Sequence, residues 1–225
     1  MGIFSFIRRL MLVLSGPAND LVFLSFSNGD AGKIFSDHLN SALARAGLRT
    51  FRNADDTRRG ENTESETRKA IQESKISVIV FSKDYAFSTR CLDNVVMIMD
   101  AREATGHIVL PIFYHLDPSE VRNQEGRYFE AFSAHDKCSQ GEMARVEEWR
   151  GALRKAADVA GMVLQDRYEA KFIESIVKEI ADKLNLSLPR VPPASQLSSA
   201  LGSFFFFFLN LLEVKHVISW KSSTR

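Results

Sequence analysis

The chain has 225 residues, 45% hydrophobic and 25% charged, enough for one sizeable domain with tails and a core that needs no disulfide staples. Its 29 basic and 28 acidic residues leave a formal charge of +1, which gives no electrostatic case for binding nucleic acid or an anionic membrane surface. Two cysteines, Cys91 and Cys138, with no CxxC or Cys/His cluster, argue against a disulfide scaffold or zinc site and for a reducing compartment.

Residues 1–18 are expected to be a disordered leader. Phe6 stands where a myristoylation pattern needs Ser or Thr. The apolar stretch Ile3–Ile7 precedes Arg8 and Arg9, the reverse of a secretory signal. Leu21–Phe26 is an apolar run suited to a strand covered on both faces. Asp30 then sits at a helix N-cap, and Ile34, Phe35, His38, Leu39, Ala42, Leu43 and Ala46 follow at helical spacing up to Gly47. Leu48–Phe51 reads as a second strand, followed by a polar loop, 52–62. Thr63 with Glu66 predicts a capped helix. Ile76–Phe81 is the clearest strand, with five β-favouring residues in six.

Leu92, Val95, Val96 and Met99 mark a third helix, and Ile108–Tyr114 a fourth strand. Pro111 cannot donate to a ladder, so a strand end or a bulge is expected there. Asp117-Pro118-Ser119-Glu120 reads as a helix start, with Asp as cap and Pro at the first position. Val146, Trp149, Leu153, Ala156 and Val159 form an amphipathic stripe on which Trp149 is a core residue. Met162–Leu164 is a short fifth strand, and Phe172, Ile173, Ile176, Val177, Ile180 and Leu184 line a last helix. Five strands alternating with helices predict a parallel sheet with right-handed crossovers. Residues 187–225 read as a proline-containing linker and a low-complexity tail whose run Phe204–Phe208 falls well short of a bilayer span.

In such a sheet, ligands bind at the carboxyl ends of the strands beside a topological switch. That directs attention to segments 25–30, 52–62, 82–94 and 114–118. A P-loop and a GxGxxG turn are both absent. A phospho-acceptor site would need an acidic pair after the first strand and an aspartate ending the third, where Phe81-Ser82-Lys83 stands instead.

Five stretches taken together resemble a plant Toll/interleukin-1 receptor (TIR) domain: Leu21–Phe26, Ala70–Lys83, Cys91-Leu92-Asp93, Val109–Tyr114 and Asp117–Arg122. Their order and spacing match over residues 19–186. The resemblance implies a flavodoxin-like three-layer fold, a five-stranded parallel sheet flanked by helices. It also implies a role in innate-immune signalling, self-association or association with other TIR proteins, and a cytoplasmic or nucleo-cytoplasmic location. No nucleic acid and no transmembrane span is expected. Many members of that family cleave NAD⁺ and release nicotinamide, using a glutamate that begins the third helix. No tightly bound cofactor is expected, with NAD⁺ as the substrate or ligand.

Asn94 occupies that glutamate position, so no catalytic residue is assigned. An amide cannot stabilise a cationic sugar as a carboxylate does, and losing one such contact commonly costs about two to three orders of magnitude in rate. The neighbouring Asp93 points about 100° away on a helix and is not expected to substitute. The resemblance also carries over four residues toward NAD⁺: Asp30, Arg59, Gly60 and Ser88. Arg90 replaces a family tryptophan, and two first-loop arginines are missing. His38 corresponds to a family interface histidine or flanks the core, and Gly161 either lies at a second interface or ends a helix. Arg52, Arg58 and Arg59 form a solvated loop cluster or a contact. The sequence thus leaves a contact-signalling module, a weakened NAD⁺ glycohydrolase and a fragment without function.

Overall fold

The computed structural model describes residues 21–29, 31–52, 63–136, 143–164 and 168–186. The leader, the Phe204–Phe208 run, Cys138 and the loop carrying Arg58 lie outside them. The elements are β1 (Leu21–Phe26), α1 (Ala31–Arg45), β2 (Arg49–Arg52), α2 (Thr63–Glu73), β3 (Ile76–Phe81), α3 (Thr89–Thr105) and β4 (Ile108–Tyr114). They continue with α4 (Pro118–Asn123), α5 (Arg127–His135), α6 (Met143–Ala157), β5 (Met162–Leu164) and α7 (Glu169–Lys183). A 3₁₀ turn, Tyr85–Phe87, joins β3 to α3.

All five strands pair in parallel in the order β2-β1-β3-β4-β5. The order reverses between β1 and β3, which makes that junction the switch point. Alternation along each strand divides the core. Val22, Leu24, Val78 and Val80 pack with Phe35, Leu39, Phe172 and Ile176 of α1 and α7. Phe23, Ile79, Phe81 and Phe113 face Leu92, Val95, Tyr128, Trp149 and Leu153 on the other side. Every residue of β3 is buried, as a central strand with helices on both faces requires. Each fully buried large apolar side chain contributes about 1.5–3 kcal/mol.

The predicted elements recur with small shifts. β2 starts one residue later than expected, and Arg52 ends it instead of opening a loop. Gly47 closes α1 at φ 82°, and Leu48 N–H returns to the Leu43 carbonyl. Asp117 caps α4 in a reciprocal box: its carboxylate accepts from Ser119 N–H at 2.8 Å, and Glu120 accepts from Asp117 N–H at 3.3 Å. Pro111 is neither a strand end nor a bulge. It sits mid-β4 in register with Ile79, while pairing to β5 begins only at Ile112, so no ladder bond calls for its missing N–H.

Candidate functional site

β1 and β3 end side by side at the switch point, and the backbone there opens a cavity of about 390 Å³. Its walls are Phe26–Gly29 after β1, the turn carrying Asp84 and Phe87, the first turn of α3, and Arg127 at the start of α5. The volume lies toward the lower end of ordinary small-molecule sites, about 300–1,000 Å³.

The floor is a buried chain of neutral hydrogen bonds. Asn94 is 2% exposed, and its Nδ2 donates to Ser25 Oγ at 3.4 Å. Ser25 Oγ lies 2.7 Å from the Tyr85 hydroxyl, which donates to the Cys91 carbonyl at 3.1 Å. Burial, first of all, pushes the Tyr85 phenol well above its ordinary value, so it stays a protonated donor. The Cys91 thiol is buried and donates to the Phe26 carbonyl at 3.4 Å. Neutral partners suit such a floor, because a carboxylate there would lose its hydration.

Asp93 is turned about 100° away on the helix and is not among the residues lining the crevice. Its carboxylate accepts from Arg145 Nη2 at 2.6 Å and from Trp149 Nε1 at 2.9 Å, tying α3 to α6. Trp149 is a core residue, 4% exposed. Ser88 is the N-cap of α3, where its Oγ accepts from Cys91 N–H at 3.3 Å, and it also lines the cavity.

Ser88 and Asn94 are thus brought together. His38 is remote from both: it lies on α1, 61% exposed, with Nδ1 3.0 Å from Glu169 Oε1 at the start of α7. It is therefore not buried among core side chains. Gly161 does not end a helix, since α6 stops at Ala157. A Cβ there would lie 2.5 Å from the Pro111 carbonyl oxygen, so the residue permits close approach of β5 to β4. Arg52 is not a free loop cation, because it pairs with Asp37 and lies over the Phe26 ring at 4.8 Å. Asp30, Arg59 and Gly60 fall outside the described residues.

The sequence reading missed the charged rim. Arg127 donates to Asp84 at 2.7 Å and to Glu130 at 2.6 Å, and its guanidinium lies 4.6 Å over the Phe87 ring. Asp84 stood within a segment flagged at the end of β3, whereas Arg127 lies 43 residues further on, in none. The floor hydroxyls of Ser25 and Tyr85 were also missed. A serine inside an otherwise apolar strand was the available signal.

A family model for the TIR domain matches residues 21–200. Disease resistance protein RPV1 of Vitis rotundifolia is 49% identical over 164 residues, 72% of this chain and 11% of that protein. TMV resistance protein N of Nicotiana glutinosa is 38% identical over 164 residues, 72% of this chain and 14% of that protein. The chain therefore spans about a tenth of the length of these curated relatives. Among solved structures, the TIR domains of the activated Roq1 resistosome directly recognizing the pathogen effector XopQ are 41% identical. They superpose with a TM-score of 0.65 over 72% of this chain and 99% of that one. With its five-stranded parallel sheet and the family match across it, the chain belongs to the TIR domain family.

Proposed function

We propose that this domain signals in plant innate immunity by contact, associating with other TIR proteins or with itself, and that it turns over little or no NAD⁺. One observation carries the reading. The position at which the resemblance implies a catalytic glutamate is Asn94, a neutral amide sunk 2% exposed in the crevice floor. Among the described lining residues Asp84 is the carboxylate, and Arg127 holds it. The disease-resistance relatives and the Roq1 resistosome support the signalling role. His38 and Gly161 are proposed contact residues, and both are exposed on the surface. The setting is cytoplasmic or nucleo-cytoplasmic, and no described helix is long and apolar enough to cross a membrane.

A second reading, NAD⁺ glycohydrolysis, is favoured by the cavity at the switch point with Ser88 on its wall. Asp30, Arg59 and Gly60 would join Ser88 around such a ligand.

Nicotinamide release separates the two. Purified chain at high concentration with a crowding agent is expected to match a buffer blank, and turnover well above it overturns the contact reading. Co-precipitation with a TIR-containing disease-resistance protein is expected, and His38→Ala is expected to weaken it. Failure to associate with itself or any such protein removes the proposal.

A further inference from the structure

The crevice has a neighbour across the strand ends. A second cavity of about 430 Å³ lies against Ser82, Lys83, Tyr114, His115 and the first turn of α1 at Gly32. Asp84 and Arg127 line both cavities. Their ion pair is thus the partition between two chambers that together run across the ends of β1, β3 and β4.

Arg127 is built to stay where it is when Asp84 lets go. Its face rests on Phe87 and another edge is held by Glu130. Its side chain is still 46% exposed, so an incoming group can reach it. Among the described residues the surroundings are cationic on balance: Lys83, Arg90 and Arg127 against Asp84 and Glu130. Neither Lys83 nor Arg90 forms an ion pair with a described residue. In the wall of the second chamber Ser82 is 1% exposed, and its Oγ has no partner among the described residues. A buried hydroxyl without a partner is costly, and an oxyanion would satisfy it.

We propose that Arg127 is an anion receptor for a small organic phosphate, and that Asp84 is an internal competitor occupying it until such a ligand arrives. A phosphate oxygen can take the Nη2 donor that Asp84 Oδ1 now occupies, while Nη1 stays with Glu130. The body of the ligand would lie in one chamber or span both. Arg90 on one side and Lys83 on the other give a diphosphate two further partners. The inference goes beyond the reading of Asn94, because capture at Arg127 requires no bond cleavage.

The two ends of the ion pair give opposite predictions. Inorganic pyrophosphate is titrated into the full chain by calorimetry. Asp84→Asn, nearly isosteric, is expected to bind about two- to fivefold more tightly, since an exposed ion pair's worth of competition is removed. Arg127→Ala is expected to weaken binding at least tenfold, and Ser82→Ala to weaken it less. Equal affinity in all proteins means an adventitious ion only and overturns the proposal. Weakening by Asp84→Asn marks the bridge as merely structural and also overturns it, as does silence from both wild type and Asp84→Asn at millimolar pyrophosphate. Should Arg127→Ala fail to fold, the Asp84→Asn result decides alone. Nicotinamide release is a separate readout, so failure of this site and failure of the contact reading are distinguishable.

Discussion

Replacing Gly161 with alanine tests the packing at the sheet's last pairing. The new Cβ would stand 2.5 Å from the Pro111 carbonyl oxygen, 3.0 Å from Phe113 Cε2 and 3.1 Å from Pro111 Cβ. None of these neighbours yields easily. Pro111 is in register with Ile79 of the central strand, and the Phe113 ring stacks on Phe81 with centroids 5.6 Å apart. Relief must come from β5, whose three residues pair only with Ile112–Tyr114. Overpacking costs about 1–3 kcal/mol, and each weakened ladder bond about 0.5–1.5 kcal/mol. The alanine recovers about 0.4–1 kcal/mol through a less free unfolded chain. The net expectation is a loss of about 2 kcal/mol, or about 4–8 °C in Tm for a domain this size. Thermal unfolding by far-UV circular dichroism measures it, with sedimentation velocity run on the same samples. An unchanged or raised Tm refutes the reasoning. If association weakens at constant Tm, Gly161 acts only through a contact between molecules.

Tyr85→Phe removes the hydroxyl linking Ser25 to the Cys91 carbonyl and should cost about 1.5–3 kcal/mol in denaturant unfolding; a change below about 0.5 kcal/mol would show the floor network to be dispensable. Asp93→Asn keeps the shape but removes the charge facing Arg145 and Trp149, and a loss of about 1–2 kcal/mol is expected. Equal stability would mean that α3 and α6 are held by apolar packing alone. His107 lies beside Ser77, its Nε2 2.8 Å from the hydroxyl, and burial lowers its pKa from 6.5. The unfolded chain therefore binds this proton more readily, so stability is full above about pH 6.5 and falls as pH drops through the lower folded value. Wild type should lose more Tm between pH 7.5 and 5 than His107→Asn does, and parallel curves would contradict this.

The architecture was largely legible because strand runs and helical stripes are local. The alternation of apolar strands with amphipathic helices placed β1, β3 and β4 to the residue. Pro111 misled because whether a missing N–H matters depends on how far the neighbouring strand extends, which is not a local property. Helix α3 begins before its apolar stripe because Ser88 caps it through a hydroxyl, a signal carried by one residue rather than a period. The partition between Asp84 and Arg127 was illegible for a different reason. It joins a turn after β3 to the start of α5, whose meeting depends on the whole sheet, and neither residue belongs to a spaced motif. Asn94 was readable as a change of chemistry, but its depth and its link to Ser25 required the fold.

Pro111 also has a bearing on how such domains can gather without harm. Its carbonyl faces Gly161, and the N and O of one strand residue point to the same side. The proline therefore silences a donor where β4 runs on beyond its three-residue neighbour. At the opposite margin β2 is only four residues long, with an arginine at each end. Short, charged or donor-less borders discourage strand addition between molecules. Pro111→Val would place an unpaired N–H in a buried position, and it should lower Tm and raise light scattering on heating. Crowded copies of this domain are thus steered to meet through helices and loops, and kept from the backbone pairing that turns assembly into aggregation.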